Sequence, residues 1–288
     1  MSDYVIFTDS GCDISEELLN KWNVKLIDLT FRADGSETEL VSRDVPVKEF
    51  YDRMRAGTVF KTSAANEVTL RNAFRPTLEE GLDVLYVCFS SGLSGTADTA
   101  KLTAEELEKE FPNRRVRVVD TLCASAGEGL ILYYAVKARD AGADLEDAEK
   151  AILEKRPMLC HWFTVDDLVY LKRGGRVGAV AAFFGGVLNI KPVLHVDDEG
   201  HLIPVVKVRG RINSIKALAK KYRESAIDPE KGEYFISHGD CIEDAEKLQA
   251  MIESEFGHSA ALITDIGPVI GAHSGPGTLA LFFLGKQR

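Results

Sequence analysis

One imidazole and one hydroxyl stand together at His273 and Ser274, set among the glycines and prolines of Ile266-Gly267-Pro268-Val269-Ile270-Gly271-Ala272-His273-Ser274-Gly275-Pro276-Gly277. That composition predicts a loop rather than a helix or strand, because glycine reaches positive φ and lets the backbone come close to a ligand. Such a loop can bring polar groups together around a small charged head group. Three hydroxyl-rich segments in the first half are expected beyond strand ends, where open α/β sheets bind ligands. They are Thr8-Asp9-Ser10, Thr62-Ser63 in the loop after Gly57, and Ser90-Ser91-Gly92-Leu93-Ser94-Gly95-Thr96. The last runs into a helix N-terminus, whose free N–H groups favour an anion. Each segment alone reads equally well as a helix cap or turn. Their recurrence alongside His273 points to one site of hydroxyl donors, backbone N–H groups and an imidazole.

Other chemistries fit less well. Ser91-Gly92-Leu93-Ser94-Gly95 lacks the lysine of a P-loop, and no GxGxxG follows the first strand. A serine hydrolase or acyltransferase would use Ser94 or Ser63 with His273 as base and Asp9 or Asp265 as orienting acid, but no GxSxG elbow is present. His161, His195, His201, His238 and His258 are not at ligand spacing, so no metal is expected. Cys12, Cys88, Cys123, Cys160 and Cys241 are odd in number and form no CxxC, which fits buried thiols in a reducing cytosol.

The elements that must position these residues alternate between short apolar strands and amphipathic helices. Strands are expected at Tyr4–Thr8, Val24–Leu29, Val84–Phe89 and Val116–Val119. Helices are expected from a capping box of Asp13 and Glu16 through Trp22, then at Val47–Ala56, Leu70–Glu80 and Ser125–Ala141. This alternation predicts a mainly parallel sheet covered on both faces. Beyond Pro157 the pattern changes to a strand at Leu159–Val165 and a hairpin of Val193–Val196 with Leu202–Val208. Helices at Ile212–Glu224 and Ile242–Phe256 then alternate with strands at Tyr234–Ser237 and Ala261–Thr264. Two α/β domains are expected, residues 1–155 and residues 156–288.

A chain of 288 residues, 45% hydrophobic and 28% charged, is long enough for two such cores. A net charge of −10 argues against nucleic acid, whose phosphates require concentrated Lys and Arg. The first residues lack the pattern of a signal peptide, so a cytoplasmic protein is expected. The longest apolar run, Val177 to Leu188, holds three glycines and falls short of the roughly 20 residues that span a bilayer. It reads either as a core helix or as a slot of small residues lined by Phe183 and Phe184 that admits an apolar chain.

Taken in order, Thr8-Asp9-Ser10, Lys61-Thr62-Ser63, Ser91-Gly92-Leu93-Ser94-Gly95-Thr96, Leu171-Lys172-Arg173-Gly174-Gly175-Arg176, Asn189-Ile190-Lys191-Pro192 and Gly267-Pro268-Val269-Ile270-Gly271-Ala272-His273 resemble the DegV family of bacterial fatty-acid-binding proteins along the whole chain. Members called FakB carry a fatty acid for phosphorylation by a separate ATP-dependent kinase subunit. The resemblance implies a two-domain DegV-type fold, an N-terminal mainly parallel α/β/α sheet followed by a mixed α/β domain, and a lipid carrier rather than an enzyme. It implies a long-chain fatty acid as ligand, with no other cofactor. The carboxylate would be held between the domains by Thr62, Ser63, Ser94, His273 and Ser274, supported by Asp9, Ser10, Gly92, Gly95 and Gly271. The chain would enter a tunnel in the second domain lined by Ala182, Phe183, Phe184 and Val187. Arg173 and Arg209 would dock the kinase, and transient contact with a membrane surface stays open. The sequence departs from the family at Ala64-Ala65, where Gln-Pro is common, and at Ser274, where Thr is common. On this reading the head-group site has no arginine clamp, which leaves a carboxylate oxygen free to accept a phosphoryl group.

Overall fold

The computed structural model describes residues 3–176 and 189–288. Its first half is built on β1 (Tyr4–Asp9), α1 (Glu16–Lys21), β2 (Val24–Ile27), β3 (Thr30–Ala33), α2 (Val47–Arg55), β4 (Phe60–Ser63), α3 (Glu67–Glu79), β5 (Asp83–Cys88), α4 (Thr96–Glu110), β6 (Val116–Asp120), α5 (Ala126–Asp140) and α6 (Leu145–Lys155). Strands β2-β1-β5-β6 form an all-parallel sheet in that order. These strands are apolar on both faces because both are covered, which is why they read as continuous hydrophobic runs. Phe74 and Leu78 of α3 and Ala100 and Leu107 of α4 bury one face, and Leu130 and Ile131 of α5 bury the other.

The rest comprises β7 (Leu159–Thr164), α7 (Val169–Arg173), β8 (Ile190–Val196), β9 (Leu202–Arg209), α8 (Arg211–Ser225), β10 (Tyr234–His238), α9 (Ile242–Phe256), β11 (Leu262–Asp265), α10 (Pro268–Ser274) and β12 (Leu279–Leu284). Six of these strands form a mixed sheet in the order β11-β10-β12-β7-β8-β9. The outer face packs on α8 and α9 through Leu218, Tyr222 and Leu248. The inner face presents Phe163, Phe235 and Phe282 to the same core that takes Ile6 and Leu85 of the first sheet. Helix α5 lies in that shared core, which explains why Ala126 to Leu132 are buried around the whole helix rather than along one stripe.

Three local expectations are corrected. Thr62 and Ser63 lie on a strand, β4, paired antiparallel with β3 in a separate two-stranded sheet. Asp13 does not cap α1; Ser15 does, accepting from the Leu18 N–H at 3.3 Å, while Asp13 is buried in the left-handed region at φ 53°. The His273 segment is a helix, α10, with Pro268 at its first turn and Gly275 in the left-handed region after its end.

Candidate functional site

Helix α10 is held at both ends, and this fixes His273. At its start the Gly267 N–H donates to Asp13 Oδ1 at 2.9 Å, and the Tyr51 hydroxyl donates to the Ile266 carbonyl at 2.9 Å. At its end the Thr278 hydroxyl lies 2.9 Å from the Ser274 carbonyl and 2.8 Å from that of Gly275. The glycines of the segment serve close approach as well as backbone freedom. A Cβ on Gly271 would stand 2.6 Å from the Tyr51 hydroxyl, whereas Gly275 and Gly277 have φ of 81° and 78°.

His273 Nε2 lies 2.8 Å from Thr62 Oγ1. Its Nδ1 edge faces the Gly174 backbone so closely that a Cβ on Gly174 would collide with it. Burial, and then the charge of Arg176, pushes the imidazole pKa down to about 4, so the ring is neutral near pH 7. Ser94 Oγ accepts from the Thr96 N–H at 3.3 Å and lies 3.0 Å from Thr96 Oγ1 at the start of α4. Thr96 Oγ1 also accepts from the Ala65 N–H at 3.2 Å, which ties the end of β4 to that helix N-terminus. Ser274 Oγ is buried and has no hydrogen-bond partner among the described residues.

All five residues expected at a carboxylate, Thr62, Ser63, Ser94, His273 and Ser274, line one cavity. It encloses about 790 Å³ of non-atom space, its open mouth included. Phe89, Leu93, Phe163 and Leu202 supply apolar wall. Of the residues expected to support the site, Asp9 is fully buried and accepts from the Tyr86 hydroxyl at 2.8 Å and the N–H groups of Gly11 and Phe89 at 2.9 and 3.1 Å. Ser10 Oγ accepts from the Leu29 N–H at 2.9 Å. Gly92 packs against the turn between β8 and β9, where a Cβ would meet the Gly200 carbonyl at 2.7 Å, and Gly95 is the N-cap of α4. Ala182, Phe183, Phe184 and Val187 lie outside the described residues. Arg173 and Arg209 are exposed, Arg173 at the end of α7 with its guanidinium 6.0 Å from the Tyr170 ring centroid.

Among the lining residues that escaped the sequence reading, two change the picture of the site. The first, Arg176, overturns the expectation of a site without arginine. Its Nε donates to the Leu93 carbonyl at 3.1 Å and its Nη1 to the Gly174 carbonyl at 2.7 Å, and among the described residues it has no acidic partner. Burial alone pulls its pKa below the ordinary guanidinium value, yet a guanidinium remains charged at neutral pH, so the cavity holds a cation beside His273 that no described acid compensates. The second is Ser125, at the N-cap of α5 with φ 56° and ψ −147°. Its hydroxyl lies 2.5 Å from Asp13 Oδ2 and 2.8 Å from Ser237 Oγ, so one buried cluster joins α5, α10 and the second sheet. Burial pushes the Asp13 carboxyl up to about 8. The signal for Arg176 was present in Arg173-Gly174-Gly175-Arg176, but only the fold distinguishes the outward arginine from the inward one.

Among the described residues no helix is long and apolar enough to cross a membrane, no group of three His, Cys, Asp or Glu could hold a metal, and all five cysteines are unpaired. A family model described as an uncharacterised protein of the DegV family matches residues 3–286. A DegV domain-containing protein of Clostridium perfringens is 38% identical over 289 residues, covering 100% of this chain and 99% of that one. A DegV lipid-binding protein from Thermotoga maritima superposes with a TM-score of 0.85 at 30% identity, with 100% of both chains covered. A fatty-acid-binding DegV protein from Thermus thermophilus gives a TM-score of 0.89 at 28% identity over 98% of this chain and 99% of that one. The chain belongs to the DegV family.

Proposed function

We propose that this protein binds a long-chain fatty acid, with the carboxylate at Arg176, Thr62, Ser94 and His273 and the acyl chain in the cavity, and presents it to a separate fatty acid kinase. The observation that carries the reading is the half-buried Arg176 guanidinium, which lines a largely apolar cavity and has no counter-charge among the described residues. A buried cation is costly unless paired, and a carboxylate supplies the missing partner. The relatives named above as lipid- and fatty-acid-binding proteins support the ligand class. The hydrocarbon chain supplies affinity at about 0.8 kcal/mol per buried methylene, so the polar groups serve chiefly to orient the head group.

On this reading the protein is a cytoplasmic carrier without turnover. On either side of a division near residue 155, the first half supplies Thr62 and Ser94 to the head-group site and the second supplies Arg176 and, through α10, His273. Arg173 and Arg209 offer exposed charge for docking the kinase, and the kinase product is an acyl phosphate. The hydrolase alternative is disfavoured because His273 Nε2 meets Thr62 rather than a serine, and no acid orients the ring among the described residues.

Native mass spectrometry of protein purified from bacteria should find a long-chain acid bound at unit stoichiometry. Adding a fatty acid kinase catalytic subunit and ATP should then convert the bound acid to its acyl phosphate. Absence of bound acid, together with no binding of a fluorescent fatty acid, would refute the carrier reading. Labelling by a serine-directed phosphonate would favour the hydrolase.

A further inference from the structure

We infer that the acyl chamber holds a second polar anchor, the His161 imidazole, and that the chain it selects carries a hydroxyl group along its length. This rests on the fatty-acid reading above and narrows its substrate class.

His161 is on β7 and faces inward with Phe163, as the two-residue period of a strand requires. His161 lines the same cavity as His273, and its ring packs against Phe282, with centroids 4.6 Å apart, and against Phe163 at 5.7 Å. The residue is only 4% exposed, and its Nδ1 is fully buried with no partner. Neither ring nitrogen makes a hydrogen bond to a described residue. Neighbouring His195 is different, since its Nδ1 lies 2.9 Å from the His161 carbonyl and its ring stacks on Trp162. Burial holds the His161 imidazole well below its ordinary pKa, so the ring is neutral and offers one donor and one acceptor. A hydroxyl has the same pair of capacities and complements it, whereas a methylene leaves the ring nitrogens dry and unpaired.

Position along the chamber separates this anchor from the head group. The Ser274 end is marked by Thr278, immediately before β12, and His161 pairs with Phe282, four residues further along the chain. Four strand residues span roughly 13 Å, so an acid whose carboxylate lies at the His273 end meets His161 along its chain. A site whose buried polar groups are arranged for a hydroxyl discriminates against the analogue that lacks it, because that analogue leaves those groups unpaired.

The test is competitive displacement of a fluorescent fatty acid by stearic acid and by a series of hydroxystearic acids with the hydroxyl at successive positions. Wild-type protein should bind at least one isomer more tightly than stearic acid, by about tenfold, the equivalent of one good hydrogen bond. His161→Leu should abolish that preference and tighten stearic acid, and His161→Gln, which can still donate and accept, should retain part of it. If stearic acid binds wild type as well as or better than every isomer, the anchor is refuted while the carrier reading stands. A preference that survives in His161→Leu also refutes it. Failure of all these acids to bind wild type would overturn both readings. Should His161→Leu not fold, the wild-type series and His161→Gln decide the question.

Discussion

Replacing Arg176 by methionine removes the cavity's uncompensated charge while keeping most of the side chain's bulk. Two unit charges at about 4 Å attract by roughly 4 kcal/mol at an effective dielectric of 20. The guanidinium is about half buried, so solvent screening reduces this to roughly 2 kcal/mol, about thirtyfold in Kd. Arg176→Met should therefore weaken oleic acid about thirtyfold. It should leave oleyl alcohol, which has the same chain and no charge, within about threefold of wild type. The alcohol is the necessary control, because Arg176 also binds the Leu93 and Gly174 carbonyls and its loss could disturb the wall. Stability of the ligand-free protein should change by no more than about 1 kcal/mol, since losing those bonds opposes the relief of a buried charge. Isothermal titration with both ligands at two salt concentrations measures all of this. Equal losses for acid and alcohol, or an unchanged Kd for the acid, would show that Arg176 shapes the wall and does not recognise the head group.

Three further outcomes follow from the site's geometry. Gly174→Ala keeps an allowed backbone, φ −72° and ψ −10°, but drives a methyl into His273 Nδ1; fatty-acid affinity should fall about tenfold with a cooperative melting transition retained. His273→Gln should lower affinity by a factor that is the same at pH 6 and pH 8, because an imidazole with a pKa of about 4 stays neutral across that interval; a loss that varies with pH would place its titration higher. Asp13 is an acid whose folded pKa, about 8, is raised above its unfolded value of 3.8. Its contribution therefore favours folding below pH 3.8 and is lost as pH rises towards 8. Asp13→Asn still accepts from the Gly267 N–H and can donate to Ser125, so chemical denaturation should find wild-type stability declining relative to the variant between pH 4 and pH 8. At ~1.4 kcal/mol per unit the change is at most ~5 kcal/mol.

What could be read from the residues alone was mostly what local periodicity carries. The parallel strands β1, β5 and β6, the hairpin of β8 and β9, and α9 at Ile242–Phe256 fall where apolar runs and caps put them. Thr62, Ser63, Ser94, His273 and Ser274 line one cavity, whereas Thr8, Asp9 and Ser10 are not among its lining residues. Two of the misreadings share one cause, which is that a residue's reason for being small or polar lay in a distant neighbour. Gly271 resembles a loop glycine, yet it is small because Tyr51, over two hundred residues earlier, crosses α10 there. Asp13 resembles a cap at three residues' spacing, yet its partners are Gly267 and Ser125. Thr62 appeared to lie in a loop because β3 and β4 are each only four residues long, too short for a period of two to stand out.

These distant contacts also explain how the site keeps its shape in the absence of a ligand. Among the described residues His273 makes one side-chain hydrogen bond, to Thr62, which alone would leave its ring free to rotate about that contact. The ring is also confined by backbone, with Gly174 pressed against one edge and α10 fixed at its start by Asp13 and Tyr51 and at its end by Thr278. Backbone walls are stiffer than side chains, so the imidazole is oriented before any ligand arrives and little ordering remains to oppose binding. The same segment that presses Gly174 against His273 carries Arg176 inward and Arg173 outward. A shift of that segment on ligand entry would therefore move Arg173 together with Arg176.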